Sequence, residues 1–263
     1  MPELSAWPWY AAWPAALSLA LLAWYRHWLT APAAGAAIVL GGLVAVVGGW
    51  AWVLPLLAAF VSCSLLTRWH RHRRGLARTA GRDLGQVVAN GGVAALVAGL
   101  AWVAPPVVVD WTVLHAAAWS ALAADTWATE IGGLFGGQPR HLLTGEPLDC
   151  GTSGGVTPIG SLGGLVGAGL VAGSVWWAAP TVGATGFGLV VVCGVIGMLC
   201  DSLLGGSLQG RFVCRVCNTI VETRRHCQIS ATPLAGLPFV GNDLVNATSI
   251  AVAVAVALCW QIS

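Results

Sequence analysis

A chain of 263 residues that is 57% hydrophobic and 8% charged is no soluble globular domain, because such domains carry roughly a quarter of charged residues. The net charge of +2 conceals a sharper fact: all twelve basic residues are Arg, and there is no Lys. A phosphate-binding lysine or a Schiff base is therefore excluded from any mechanism.

A membrane crossing needs about 20 apolar residues. In chain order the qualifying runs are 8–25, 31–49, 50–67, 86–104, 107–124, 160–179, 184–204 and 243–261. They predict an all-α, polytopic helical bundle of about eight transmembrane helices, forming a single integral membrane domain over residues 1–263. The cut between the second and third runs falls near Gly48-Gly49-Trp50, where the Gly pair and Pro55 offer a turn. The opening heptapeptide has no basic region, so the first run reads as a retained span. Trp7, Trp9, Trp24, Trp28, Trp50, Trp52, Trp176, Trp177 and Trp260 sit near run ends, as interfacial anchors do.

The arginines set the expected orientation. Arg26, the cluster Arg68, Arg71, Arg73, Arg74, Arg78 and Arg82, then Arg140, and finally Arg211, Arg215, Arg224 and Arg225 all fall on one side if both termini are outside. The positive-inside rule makes that side the cytoplasm. Glu3 and Asp110 then fall outside, and the loops 68–85, 125–159 and 205–242 face the cytoplasm from the inner membrane. The Arg-rich loop reads first as a topogenic cluster near anionic headgroups, and second as an electrostatic funnel for phosphate.

Polar motifs interrupt the apolar pattern. Gln86 and Asn90 enter the fourth run one turn apart on one face. Asn90 is an amide at membrane depth, placed to bond a neighbouring helix or to line a site. Asp125 ends the fifth run, followed by Thr126, Thr129 and Glu130. On a continuous helix Asp125 and Glu130 lie on different faces; they converge if the helix breaks at Gly132-Gly133. One or two carboxylates with phosphate oxygens and water are enough for Mg²⁺. Arg140 offers a guanidinium for bidentate phosphate contact.

The Gly151-Thr152-Ser153-Gly154-Gly155 run allows a nest of N–H donors beside two hydroxyls. A helix starting just beyond it adds a positive dipole end. Within that helix, Gly160/Gly164, Gly163/Gly167 and Gly169/Gly173 are small-xxx-small pairs for close packing. Asp201-Ser202 closes the seventh run, a weak echo, short of an internal repeat, of the acid and hydroxyl of Asp125-Thr126 at the inner end of a helix. An acid at a helix C-terminus is electrostatically unfavourable, and a bound cation would relieve both Asp125 and Asp201. Asn242, Asp243 and Asn246 open the eighth run, where Asn or Asp is the expected N-cap. Cys214 and Cys217, followed by His226 and Cys227, have the residue types of a structural zinc knuckle, with one half paired as CxxC. An inside location would keep these thiols reduced.

The blocks GRDLGQVVANG (81–91), ADTWATEIG (124–132), PR (139–140), GTSGGV (151–156), DSLLG (201–205) and NDLVN (242–246) resemble, in order, the signature blocks of the integral membrane family called domain of unknown function 92, also known as the transmembrane protein 19 group. That family includes the plastid phytyl-phosphate kinase of tocopherol synthesis, and it is similar to CTP-dependent polyprenol and dolichol kinases. The resemblance implies transfer of a phosphoryl group from a nucleotide, CTP foremost, to a prenyl monophosphate such as phytyl phosphate.

Such a reaction suits these residues. A phosphate monoester is already an anionic nucleophile, so positioning and charge neutralisation are what remain. Asp125 and Asp201 are expected to hold Mg²⁺, with Asp243 a third ligand. Glu130 would orient a metal water or ligand, and Arg140 would touch the transferred group. Gly151, Thr152, Ser153, Gly154 and Gly155 would cradle donor phosphates, with Asn90, Asn242 and Asn246 completing the nucleotide pocket. The expected partners are a lipid phosphate and membrane lipids, with no nucleic acid. The competing expectations are a transporter or flippase for a phosphorylated lipid or small anion, a CTP-dependent lipid cytidylyltransferase, and a non-catalytic scaffold.

Overall fold

The computed structural model describes residues 8–76, 81–104 and 109–263; Glu3, Trp7 and Arg78 lie outside them. The protein is a predominantly helical membrane bundle: α1 (Trp9–Tyr25), α2 (Ala31–Arg73), α3 (Leu84–Val103), α4 (Trp111–Phe135), α5 (Pro158–Ala178), α6 (Gly183–Ser207) and α7 (Asn242–Ile262). Helix α2 is two limbs, because Gly49 leaves helical geometry at φ 54°, ψ −142°. That conformation is open to Gly without penalty, and it falls where the sequence predicted a cut. With the limbs counted separately, the described residues hold eight α-helical segments. Among the described residues, however, five helices and not eight are long and apolar enough to cross a membrane: α2, α3, α5, Pro180–Ser207 and α7.

Helix α4 misses that standard because Trp, Thr, His, Ser and Asp dilute its apolar run, in a helix that meets protein on every side over much of its length. Residues Val113–Ala124 are all buried, so this helix is shaped for neighbours more than for lipid. Its run of alanines lets α5 and α6 approach closely. Gly164 lies where a Cβ would stand 2.8 Å from the Ala124 carbonyl and collide with Met198, and a Cβ on Gly167 would meet the Ala123 carbonyl at 2.9 Å. Gly160 and Gly163 face Ala128 and Ile131 in the same way, whereas Gly169 and Gly173 have nothing within 4 Å. Close approach therefore uses the first two of the three predicted pairs.

The polar side chains of α4 above its midpoint are sealed. Ser120 donates to the Val190 carbonyl at 2.9 Å. His115 stacks on Trp52 with ring centroids 4.3 Å apart and accepts a hydrogen bond from Trp119 Nε1 at 2.9 Å. Trp52 is thus 4% exposed and not an interfacial anchor; the anchoring pattern fits the exposed Trp24, Trp50, Trp176, Trp177 and Trp260.

Helices α2, α4 and α6 run further than the sequence predicts. The Arg-rich segment is helical to Arg73, α4 continues unbroken through Gly132-Gly133 to Phe135, and α6 reaches Ser207. Asp125 and Asp201 therefore sit inside helices, not at their ends, and the expected loops are shorter. What remains of them carries short strands. β1 (Arg140–His141) pairs with β2 (Gly155–Val156). Beyond α6, β3 (Arg211–Val213) is flanked by β4 (Ile220–Val221) and β7 (Thr232–Ala235), while β5 (Arg225–His226) and β6 (Ile229–Ser230) form a separate hairpin.

Candidate functional site

One end of the bundle encloses a polar cavity of about 850 Å³. It is walled by the end of α2, the start of α3, the lower half of α4, the 137–157 segment, the start of α5, the lower part of α6 and the start of α7. The three segments expected to share one side of the membrane do meet here.

Asp125 and Asp201 enter the cavity from neighbouring helices, α4 and α6. Asp201 Oδ2 accepts a hydrogen bond from Ser249 of α7 at 3.1 Å. Glu130 lines the cavity without any break in α4, and both its oxygens are engaged across the interface with α2. Thr67 Oγ1 donates to Oε1 at 2.6 Å, and His70 Nδ1 contacts Oε2. Glu130 accordingly ties α4 to α2, a different task from orienting a metal water.

Asn90 and Asn246 are joined, the Asn246 Nδ2 donating to Asn90 Oδ1 at 3.2 Å, and Asn242 lines the cavity one turn earlier on α7. The N-cap of α7 is Gly241, so Asn242 is the first helical residue and not the cap. Asp243 points elsewhere. One position round the helix from Asn242, it faces the first turn of α3, where a Cβ on Gly85 would meet its Oδ2 at 2.7 Å. It is not among the cavity residues.

Gly151, Thr152, Ser153, Gly154 and Gly155 form a wall of the cavity, held in place by the β1–β2 pairing. Gly154 is needed twice: its φ is +85°, and any side chain there would strike the backbone of Gly206. The loop thus docks on α6 immediately above Asp201 and Ser202. Arg140, in contrast, turns back on its own loop and donates to the Gly145 carbonyl at 2.9 Å, outside the cavity lining. Residues assigned by proximity in sequence, such as Arg140 and Asp243, are those the fold turns away.

The guanidinium groups come instead from the Arg-rich segment. Arg68, Arg71, Arg74 and Arg82 all line the cavity. Arg74 donates to the Gly133 carbonyl, Arg68 donates to the Arg26 carbonyl at 2.7 Å, and Arg82 lies 5.6 Å over the Phe60 ring. The segment expected to be topogenic or to form a phosphate funnel thus lines the cavity. Glu222 is a further residue the sequence did not flag. Ser153 donates to it through both N–H (3.0 Å) and Oγ (2.8 Å), and Gln209 Nε2 donates at 2.7 Å. It pins the Gly-rich loop from the 205–242 segment.

A smaller apolar cavity of about 130 Å³ lies between α1, α2 and α3. It shares Arg82, Gln86, Asn90 and Leu122 with the polar one.

The cysteine loop stands apart from the cavity. Cys214, Cys217, His226 and Cys227 bring four ligand atoms within 4.8 Å of one another, and this is the one such cluster of three or more His, Cys, Asp or Glu among the described residues. The acids of the cavity do not form a comparable trio. The backbone N–H groups of Cys217 and then Val216 hold the Cys214 thiol below its ordinary value, and Thr219 does the same for Cys217.

An apolar bundle with its polar side chains gathered around a cavity at one end is the architecture of an integral membrane protein. The chain belongs to the family described as integral membrane protein DUF92, which matches residues 14–254. It is 31% identical to Protein PGR of Arabidopsis thaliana over 48% of this chain and 46% of that protein. An uncharacterized membrane protein of Methanocaldococcus jannaschii is 27% identical over 49% of this chain and 50% of its own. A third relative, an uncharacterized membrane protein of Synechocystis sp., is 26% identical over 68% and 71% respectively. The match thus spans about half the length of the first two curated relatives. No solved structure matches the chain.

Proposed function

We propose that this protein is a lipid kinase that moves a phosphoryl group from a nucleotide, CTP foremost, to a prenyl monophosphate. One observation carries the reading: a polar cavity lined by arginines and acids that shares Arg82, Gln86, Asn90 and Leu122 with an apolar cavity between helices. A substrate with a phosphate head and a hydrocarbon tail needs both environments side by side. The polar volume of about 850 Å³ lies within the usual range for small-molecule sites. The choice of CTP and of a prenyl chain rests on family resemblance alone.

In this reading the acceptor's phosphate oxygen attacks the terminal phosphorus of the donor. The bond from that phosphorus to the bridging oxygen breaks, and a nucleoside diphosphate leaves with the electron pair. Arg68, Arg71, Arg74 and Arg82 hold the phosphates in register, and the Gly151–Gly155 backbone approaches the donor. Asp125 and Asp201 fit a magnesium site, since two acids facing one cavity from adjacent helices repel each other without a cation. Bound magnesium would neutralise charge on the transferring group. The arginine-bearing end would face the cytoplasm of the inner membrane, by the positive-inside rule. A transport pathway is less well supported, because the α4 segment above Leu122 is closed by packed side chains.

The test is radiolabel transfer from γ-labelled CTP to prenyl monophosphates by purified protein in detergent, with Mg²⁺. Asp125→Asn and Asp201→Asn should each lower the rate by roughly two to three orders of magnitude, as loss of a key electrostatic group does. Inside-out vesicles should use added nucleotide and right-side-out vesicles should not. Turnover unchanged in both variants would overturn the site, use by right-side-out vesicles the orientation, and no transfer from any nucleotide by folded protein the kinase itself.

A further inference from the structure

We propose that Cys214, Cys217, His226 and Cys227 bind one zinc ion, and that this ion holds Glu222 against the Gly-rich wall of the cavity. The proposal does not depend on the kinase reading.

Tetrahedral zinc, with Zn–S of about 2.3 Å and Zn–N of about 2.0 Å, sets S···S edges of about 3.8 Å and S···N edges of about 3.5 Å. Cys217 and Cys227 have their sulfurs 3.9 Å apart, and His226 Nδ1 stands 3.5 Å from Cys217 Sγ and 3.3 Å from Cys227 Sγ. Cys214 completes the set, with all four ligand atoms inside 4.8 Å. These spacings are those of ligands around a common centre. They are far from the roughly 2.05 Å of a disulfide, and all these cysteines are free.

The backbone supports the same conclusion independently. Cys227 and Gln228 form the two-residue turn of the β5–β6 hairpin, and both have positive φ, 48° and 62°. Such turns favour Asn and Gly, so a Cys-Gln turn is a poor local choice. The turn directs both adjacent residues, His226 and Cys227, at one point. On the other side Asn218 at φ 55° closes the CxxC turn, donating its N–H to the Cys214 carbonyl at 2.9 Å, while Val216 N–H donates to Cys214 Sγ at 3.4 Å. Strain of this kind persists where the surroundings over-determine it, and a four-ligand ion does so.

The two arms of the cluster enclose β4, Thr223 and Glu222 between Cys217 and His226. Fixing both ends of this stretch, nine positions apart, fixes Glu222, whose carboxylate receives Ser153 and Gln209. The ion would act as a structural clasp with a closed ligand set, leaving no open position for substrate.

Metal content of the full chain, purified in detergent and freed of loose metal by gel filtration, tests the site. The expected result is one zinc per chain, lost in Cys217→Ser and Cys227→Ser and kept in Cys150→Ser. Exchange into Co²⁺ should give thiolate-to-cobalt charge-transfer absorption, which reports the site in the wild-type chain should the serine variants not fold. Stripping the metal should speed proteolysis within 205–242 by at least about tenfold, the ratio for a local opening easier by about 1.4 kcal/mol. Wild-type protein with neither zinc nor cobalt uptake would overturn the site, as would full zinc in both serine variants. Unchanged proteolysis after stripping would overturn the clasp.

Discussion

Glu222 shows how far a residue's task can lie from its sequence context. It sits in a charged, cysteine-rich stretch with no motif of its own, yet it accepts hydrogen bonds from Ser153, 69 positions earlier, and from Gln209. Truncating it leaves a buried Gln209 amide and the Ser153 donors without their acceptor, which costs about 1–3 kcal/mol. Glu222→Ala should therefore lower the thermal midpoint in detergent, while Glu146→Ala, on the exposed 142–150 loop, should leave it alone; equal midpoints would show that the Ser153 contact carries no stability. Asp125 and Asp201 were legible from sequence because an acid within an apolar run is conspicuous and costly. The placement of Arg140 and Asp243 outside the cavity is not legible in sequence for the converse reason: they adjoin motifs in the chain, and orientation is decided by a two-residue strand and by a single helical step. The cavity arginines are conspicuous in sequence, but nothing local tells a headgroup contact from a cavity wall.

At the level of elements, glycine spacing on α5 names three pairs, and only the partner helix decides which matter. Gly164 abuts the Ala124 carbonyl and Met198, while Gly173 meets open space. Overpacking a filled interface costs typically about 1–3 kcal/mol, so Gly164→Val should destabilise the bundle by that order and Gly173→Val should not. Thermal unfolding in detergent compares them directly, and equal loss in both would mean that helix propensity, not the α4–α5 contact, governs this helix. The break in α2 was legible because Gly and Pro punctuate locally. The continuation of α4 through Gly132-Gly133 was not, because that glycine pair serves close approach: a Cβ on Gly132 would meet Thr157 Oγ1 at 3.0 Å, and one on Gly133 would meet His70 Cε1 at 2.8 Å. The same residue type breaks one helix and seats another, and tertiary contacts arbitrate.

For the molecule as a whole, hydropathy and arginine placement sufficed to predict an all-α bundle with its polar segments gathered at one end. The short strands were invisible because two or three residues carry no period. The shared wall between the polar and apolar cavities has a kinetic corollary. If one reactant arrives through water and the other sideways from the bilayer, the two are never dissolved in the same phase. A lipid kinase built this way would then respond to the lipid's mole fraction in the membrane, not to its amount per volume of solution. Diluting the acceptor with inert detergent at constant bulk concentration should slow turnover in proportion, whereas the nucleotide dependence should stay fixed; a rate indifferent to detergent would mean that the acceptor enters from water. Supply would then be set by how crowded the membrane is with acceptor, in two dimensions.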